Sequence, residues 1–371
     1  MRMKNILSAI FFLIGVNASA QMNIREYIRF KDTLKVEKFK IDAQGFSFLK
    51  LKMNPGDHEI LNLNELKKLT SQTVLGVDLV YSDYPHNADF TELNRLRILE
   101  LLQFLPSAFN SQIVKWQLIK QTGVKNSSTM PNYFHGFVIY YRPMPSLKEE
   151  NDYIMSIVDR KTPPSDSTLL KVFKRNPNWK SMTVVCDVTG SMSPYTGQLL
   201  LWIKSNQKMN TFKQVVFFND DDERSTDQLK KEDPSGMWAI ETTNSNKVID
   251  LALKAMTEGD HIENDLEAIC YAIKKYPENK ENIVLIADNW EDPCDMQLLE
   301  FLKKEKVPVK IIICGVEDRM NTLYLELAHA TGGSIHTMEE DLKDIAKIGE
   351  GKRFKIGKMK FYMAGGKFVQ E

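Results

Sequence analysis

Four short apolar runs in the second half of the chain constrain its fold more than any other feature. They are "TVVCD" from 183, "QVVFFND" from 214, "NIVLIAD" from 282 and "VKIIICG" from 309, and helical stretches separate most of them. Unbroken apolar strands are covered on both faces, which is typical of a parallel sheet flanked by helices. Residues 181–348 are therefore predicted to form a doubly wound, mostly parallel, Rossmann-like α/β sheet, with "MWAIETT" from 237 as one antiparallel edge strand.

The first twenty residues have the pattern of a secretory signal peptide. Arg2 and Lys4 precede an apolar run that ends in the small residues Ala18, Ser19 and Ala20. The run is too short for a membrane-spanning helix, and no later apolar segment is longer without a charge. We therefore expect an exported protein, periplasmic or secreted, without a membrane-spanning segment.

The remaining length predicts two domains, at about 150 residues for each. Residues 21–159 are expected to form a smaller α+β domain of unknown family, with strands near 74 and 137 and paired helices over 89–105 and 107–123. Residues 160–180 contain three prolines and many charges and are predicted to be a connector. Residues 349–371 predict a basic β-hairpin tail, which either lies on the domain with its lysines in water or contacts anions.

Charge and cysteine content exclude some classes of protein. The chain has 49 basic and 49 acidic residues. Removal of residues 1–20 leaves a net charge of about minus two, which gives no indication of a nucleic-acid partner. Four cysteines allow three complete disulfide pairings, and their spacing matches no zinc motif. Those within apolar runs are expected in the core, and the disulfide state stays open for all four, Cys186, Cys270, Cys294 and Cys314.

Three oxygen-bearing side chains follow the first apolar run, in the segment "DVTGSM". Asp187 stands at the carboxyl end of the strand, where doubly wound sheets bind their ligands. Alternate residues of the extended turn point the same way, so Thr189 and Ser191 are expected beside the carboxylate. Hard oxygen donors without His or Cys favour Mg²⁺, Mn²⁺ or Ca²⁺ over zinc or copper. An alternative is that Asp187 merely caps the next helix.

This segment, in this order of strands and helices, resembles the D-x-S-x-S metal-ion-dependent adhesion site of von Willebrand factor type A domains over residues 181–348. The resemblance implies a metal held by Asp187, Thr189 and Ser191, with Asp288 reaching it through water. The family's third ligand loop commonly supplies a Thr. The corresponding "TEGDHIENDLEA" is similar to the acidic version of integrin β subunits, which makes Glu263 the first candidate, Asp260 the second and Thr257 a fallback.

The resemblance further implies binding without catalysis. An acidic group of a partner would complete the metal's coordination, so the expected partner is a protein that presents a carboxylate, or else an anionic glycan. Two alternatives stay open: a magnesium-dependent hydrolase that uses the same face, and a structural scaffold with a non-functional site. Thr189 stands where such hydrolases commonly carry a second Asp, and the sequence contains none of the common hydrolase motifs. Asp220, Asp221 and Asp222 form either a solvated loop or a second ion site.

Overall fold

The computed structural model describes residues 33–41, 46–69, 72–110, 114–143, 145–207, 211–219, 236–257, 264–293 and 295–371. The chain divides into two compact units, an N-terminal unit that ends at Pro143 and an α/β unit that follows it. The predicted signal peptide over residues 1–20 lies outside the described residues. Within the described ranges, every helix is too short or too polar to cross a bilayer.

The N-terminal unit is a five-stranded mixed sheet with two helices. Its sheet has the order β1-β4-β3-β5-β2, in which β1, β4 and β3 are parallel and β5 and β2 are antiparallel to their neighbours. Its strands and helices are β1 Thr33–Val36, β2 Ser47–Lys52, β3 Thr73–Ser82, α1 Thr91–Phe104, α2 Ser107–Asn110, β4 Lys115–Gln121 and β5 Gly136–Arg142, with 3-10 turns at Leu63–Leu69 and Met130–Asn132.

The predicted strands near 74 and 137 and the first predicted helix are confirmed as β3, β5 and α1, but the predicted helix over 107–123 is wrong. Helix α2 is a single turn, and the chain then enters β4, which pairs in parallel with both β1 and β3. Trp116, Leu118 and Ile119 are buried against the core of this unit or the neighbouring strands. Strand pairing on both sides of β4 outweighs the helical character of the segment, as tertiary context commonly does.

The α/β unit contains a seven-stranded sheet, its helices and a separate small sheet. Its elements are α3 Leu147–Val158, α4 Thr168–Arg175, β6 Met182–Asp187, α5 Ser193–Asn206, β7 Phe212–Phe218, β8 Met237–Glu241, α6 Ser245–Ala255, α7 Asp265–Lys275, β9 Ile283–Asp288, α8 Leu299–Glu305, β10 Val309–Cys314, α9 Thr322–Thr331, β11 Ser334–His336, β12 Asp341–Leu342, β13 Arg353–Ile356, β14 Met359–Ala364 and β15 Lys367–Gln370, with 3-10 turns at Gly190–Met192, Pro277–Asn282, Met296–Leu298 and Ile345–Lys347.

The large sheet has the order β12-β11-β10-β9-β6-β7-β8. Its first six strands in chain order are thus arranged 3-2-1-4-5-6, the order of a doubly wound dinucleotide-binding sheet. Five neighbouring strands, β7, β6, β9, β10 and β11, are parallel, which confirms a mostly parallel α/β architecture. Strand β8 is the predicted antiparallel edge strand, and β12 adds a second one at the opposite edge.

Both faces of this sheet are covered, as the unbroken apolar runs predict. Val184 and Cys186 of β6 face a core shared with α3 to α6, whereas Val185, between them, faces a second core shared with α7, α8 and α9. Burial on both faces requires apolar side chains at every position, so the strands show no alternation. Asp187 is the first residue of β6 to break the run.

The predicted boundary after residue 159 is corrected by the packing of α3, which belongs to the α/β unit. Ile154 and Val158 of this helix lie in the core beneath the sheet. Helix α3 approaches α5 closely at Gly197, where an added Cβ would lie 2.9 Å from a methyl group of Ile157. The predicted connector over 160–180 also contains a helix, α4, whose Leu169 and Val172 are fully buried.

Two predictions about the end of the chain are wrong in detail. The segment "EDLKDIAKI" from 340, whose pattern predicts a closing helix, forms β12 and a 3-10 turn instead, because Asp341 pairs with His336 across the edge of the sheet. The tail forms three antiparallel strands, β13-β14-β15, instead of a two-stranded hairpin. Phe361 and Phe368 bury one face of this small sheet against α9, and a third strand increases the apolar area that is covered.

Candidate metal-binding site

The candidate site lies at the point where the strand order of the large sheet reverses. Strands β6 and β9 are neighbours there, although α5, β7, β8, α6 and α7 lie between them in the chain. Their last residues, Asp187 and Asp288, are both buried. In open α/β sheets the crevice outside this point is the usual place for a ligand. The fold thus brings together two carboxylates from separate strands at its natural binding position.

Asp187 has one engaged oxygen and one free oxygen. Its Oδ1 accepts a hydrogen bond of 2.7 Å from the backbone N–H of Thr189, whereas Oδ2 is buried and has no hydrogen-bond partner among the described residues. Burial, and next the nearby Asp288 carboxylate, raise the pKa of Asp187 well above its ordinary value. A buried carboxylate without a compensating cation is costly, so this position favours either a proton or a metal ion.

The two hydroxyls that the sequence places beside Asp187 do lie together. Thr189 Oγ1 is 3.2 Å from Ser191 Oγ, within the turn that leads from β6 to α5. Ser193 is turned away, because its hydroxyl donates to the carbonyl of Gly190. The turn therefore presents one carboxylate and two hydroxyls on one side of the backbone, as the alternation of residues predicts.

Asp288 ends β9 in the same kind of turn. Its Oδ1 accepts hydrogen bonds from the N–H groups of Trp290, at 2.7 Å, and Glu291, at 3.3 Å. Burial, and then the charges of Asp288 and Asp292, raise the pKa of Glu291 to about 7. Asp288, Glu291 and Asp292 are all acidic, so this end of the sheet would attract a cation.

Sequence reasoning missed two buried carboxylates behind the predicted ligands. Asp265, in the first turn of α7, accepts a 3.0 Å hydrogen bond from the hydroxyl of Tyr324 through Oδ2, while its buried Oδ1 has no partner among the described residues. Asp295 accepts a 2.6 Å bond from the N–H of Glu267. Burial raises the pKa of both groups, that of Asp295 to about 7, and the charges of Asp295, Asp187 and Asp288 raise the pKa of Asp265 further.

The only signal for Asp265 was its position two residues after Glu263, within an acidic segment that is typical of an exposed helix start. Its burial depends on Tyr324, which is 59 residues away along the chain. Pattern analysis of either segment alone gives no indication of this contact.

The third predicted ligand loop is only partly described. Asp260 and Glu263 lie outside the described residues, as do Cys294 and the acidic run at 220–222. Thr257, the fallback, is exposed and donates its hydroxyl proton to the carbonyl of Lys254 at 2.7 Å. In the described ranges, no three His, Cys, Asp or Glu side chains converge on one point that suits a metal. The donors at hand are the two strand-end carboxylates and the hydroxyls of Thr189 and Ser191.

These donors fit a hard divalent cation. They are all oxygens, and one of them, Asp187 Oδ2, is a buried carboxylate atom without a partner among the described residues. Mg²⁺ is commonly bound through one or two carboxylates and retains several waters, so two carboxylates with two hydroxyls suit its usual protein ligation. Of the described cysteines, Cys186 and Cys314 are buried, Cys270 is partly buried, and all three are free thiols.

A Ser-His-Asp chain of contacts occurs elsewhere, at the edge of the large sheet. Ser334 Oγ lies 2.7 Å from His336 Nε2, and His336 Nδ1 lies 2.9 Å from Asp341 Oδ1. Asp341 also accepts hydrogen bonds of 2.9 Å from Arg175 and Asn176. Ser334 is only 9% exposed, which leaves no open face for a substrate to meet its hydroxyl. These contacts therefore connect the C-terminal end of α4 to the edge of the large sheet.

No protein-family model matches the chain, and a search of curated proteins also found no match.

Proposed function

We propose that the α/β unit is a von Willebrand factor type A-like domain that binds a partner through a divalent cation. The strand order, the antiparallel edge strand β8 and the two aspartates at the strand ends support this proposal. Dinucleotide-binding folds have the same strand order, so the polar groups after β6 are what distinguishes the proposed domain from them. Those groups are a carboxylate and two hydroxyls.

The single observation that carries the proposal is the orphaned oxygen of Asp187. A fully buried carboxylate oxygen without a partner among the described residues, next to a second carboxylate, is unfavourable unless a cation is present. A bound Mg²⁺, Mn²⁺ or Ca²⁺ would supply the missing positive charge and an open coordination position for a ligand. Asp187, Thr189 and Ser191 would hold the ion, Asp288 would orient a water ligand, and Asp260 and Glu263 remain candidates for further ligands.

The partner follows from that chemistry. An open position on a hard cation prefers an anionic oxygen, so the proposed partner is a protein that presents a carboxylate, with an anionic glycan as the second choice. The protein is proposed to act outside the cytoplasm, on the strength of its signal-peptide pattern. Thr189 disfavours a hydrolase, because its hydroxyl cannot serve as the acid and base that a second carboxylate would provide.

Calorimetric titration of Mg²⁺, Mn²⁺ and Ca²⁺ into chelator-treated protein tests the cation site. We expect saturable binding of one ion, at least ten-fold weaker in Asp187→Asn and in Ser191→Ala. Asp78→Asn is the matched control, because Asp78 is a partly buried carboxyl whose pKa burial raises to about 6, but it belongs to the N-terminal unit. Equal affinity in wild type and Asp187→Asn would refute the site.

The partner is tested next, with the wild type and Asp187→Asn immobilised side by side. Proteins from the cell envelope or its surroundings should be retained by the wild type with Mg²⁺ and released by a chelator. Retention by both forms, or retention that the chelator does not affect, would contradict cation-dependent binding. Turnover of phosphoesters that requires Asp187 would favour the hydrolase instead.

A further inference from the structure

The outer face of the small sheet β13-β14-β15 carries four cations around one aromatic ring. The inner face is apolar and packs into the core through Ile356, Phe361 and Phe368, so the alternate residues point to water. We define the basic face by these outward residues, which are Arg353, Lys355, Lys360, Tyr362 and Lys367. The four basic side chains are exposed, and Tyr362 is half-buried at their centre.

The arrangement of charges on this face is unfavourable for the isolated protein. Lys355 lies directly opposite Lys360 across the β13-β14 pair, and like charges in that position destabilise a sheet. In the described part of the chain, neither lysine has a carboxylate within ion-pair distance. Arg353 pairs with Glu371 at 2.7 Å, and Lys367 interacts electrostatically with Glu326 of α9. A bound anion would offset the repulsion between Lys355 and Lys360.

Two nearby carboxylates bind the turns of the small sheet. Glu350 accepts hydrogen bonds from the N–H groups of Gly365 and Gly366, and Glu340 accepts one from Gly357. Both carboxylates stabilise the turns between the strands, and neither forms an ion pair with a described residue. Lys355 and Lys360 remain for an external ligand.

We propose that the basic face binds an acidic polysaccharide. Three strands present a surface about 10 Å wide, which suits a single extended chain. The Tyr362 ring offers a flat apolar surface to a sugar, with the Arg353 guanidinium 5.8 Å from its centre. Val369 is the one aliphatic side chain that is substantially exposed beside the ring, too little to insert into a lipid layer. Charge complementarity therefore points to a soluble, linear polyanion.

The small sheet is linked to the end of the large sheet that carries the candidate metal site. Gln370 of β15 donates to the carbonyl of Asp318 and accepts from the N–H of Met320. Asn289, which follows Asp288, in turn contacts Arg319 and Asn321. One loop thus connects the small sheet with the end of β9. The basic face needs no metal, however, so its binding is independent of the proposed function.

Binding to polygalacturonate, an acidic polysaccharide, is measured with the full-length protein in the presence of a chelator. Neutral dextran, phosphatidylglycerol vesicles and duplex DNA are compared in parallel. We expect binding to polygalacturonate that weakens with added salt, because exposed charges are screened. The double variant Lys355→Gln/Lys360→Gln should bind at least ten-fold more weakly. The control Lys303→Gln/Lys304→Gln removes two exposed lysines from α8 and should bind as the wild type does.

A third variant distinguishes lost binding from lost folding. Lys355→Glu converts the like-charged pair into an opposite-charged pair, so this variant should be at least as stable as the wild type while it binds polygalacturonate at least ten-fold more weakly. Unchanged binding in the double variant would overturn the proposal. Tighter binding to vesicles or DNA than to the polysaccharide would overturn the assigned partner class. Because a chelator is present throughout, failure here leaves the cation site untouched.

Discussion

The substitution Asp187→Asn should stabilise the metal-free protein and abolish its response to Mg²⁺. The side chain is fully buried, and this burial, followed by the charges of Asp288 and Glu291, raises its pKa. Asp187 and Asp288 lie on neighbouring strands, one register position apart. Two like charges at the corresponding distance of about 6 Å repel by about 3 kcal/mol at an effective dielectric constant of about 20. In the wild type, a carboxyl group that takes up a proton avoids part of this repulsion. The free energy of unfolding of Asp187→Asn should therefore exceed that of the metal-free wild type by about 1–3 kcal/mol. Asparagine can still accept the bond from Thr189.

The sign of the effect should reverse when Mg²⁺ is present. At an ion concentration of about 100 times Kd, the wild type gains about 2.7 kcal/mol, whereas the variant gains nothing. For a unit of about this size, each kcal/mol shifts the midpoint by about 2–4 °C. The variant should therefore melt higher in chelator, and its advantage should disappear or reverse in Mg²⁺.

Pulsed thiol labelling is a suitable assay, because Cys186 and Cys314 are free and fully buried in the α/β unit. Their labelling against temperature, followed by mass spectrometry of the two peptides, reports unfolding of this unit alone. Asp250→Asn is the control, since it removes one negative charge from the exposed side of α6. The reasoning fails if Asp187→Asn is less stable than the wild type in chelator, because the carboxylate would then be stabilising without a cation.

Two further predictions concern stability away from the candidate site. Burial lowers the pKa of His135 to about 4, and its Nδ1 lies 3.1 Å from the carbonyl oxygen of Tyr133. In the unfolded chain the His135 imidazole takes up a proton near pH 6.5. The free energy of unfolding of the N-terminal unit should therefore fall by about 2–4 kcal/mol between pH 6.5 and 4. Urea titrations should detect this loss in the wild type but not in His135→Gln. Gly333→Ala should prevent folding or lower the melting temperature by more than 10 °C, about 3 kcal/mol or more, because its Cβ would lie 1.9 Å from the carbonyl oxygen of Val309. Gly349→Ala, where no atom lies within 4 Å of the added carbon, should melt as the wild type does.

The N-terminal unit shows where pattern reading reaches its limit. The segment that contains Trp116 and Leu118 is compatible with a helix as well as with a strand. In the structure it is inserted between β1 and β3, and the hydrogen bonds of both neighbours make it a strand. Similarly, the local pattern of α3 does not assign this helix to the α/β unit. In the structure, Ile157 of α3 lies against Gly197 of α5. Both features depend on contacts between segments that are distant in the chain, and local periodicity contains no information about such contacts.

The parallel sheet could be predicted from residues alone, because strands covered on both faces must be apolar at every position, and helical stretches alternate with them along the chain. The same logic located Asp187, since the first charge after a buried run marks the end of the strand where ligands bind, whereas Asp288 was assigned by the resemblance to von Willebrand factor type A domains. The adjacency of β6 and β9, and the burial of Asp265 beneath Tyr324, arise from strand order and from side chains that meet across the folded chain. Charges that are remote in sequence acquire their mutual repulsion, and hence their demand for a cation, only when folding removes the water between them.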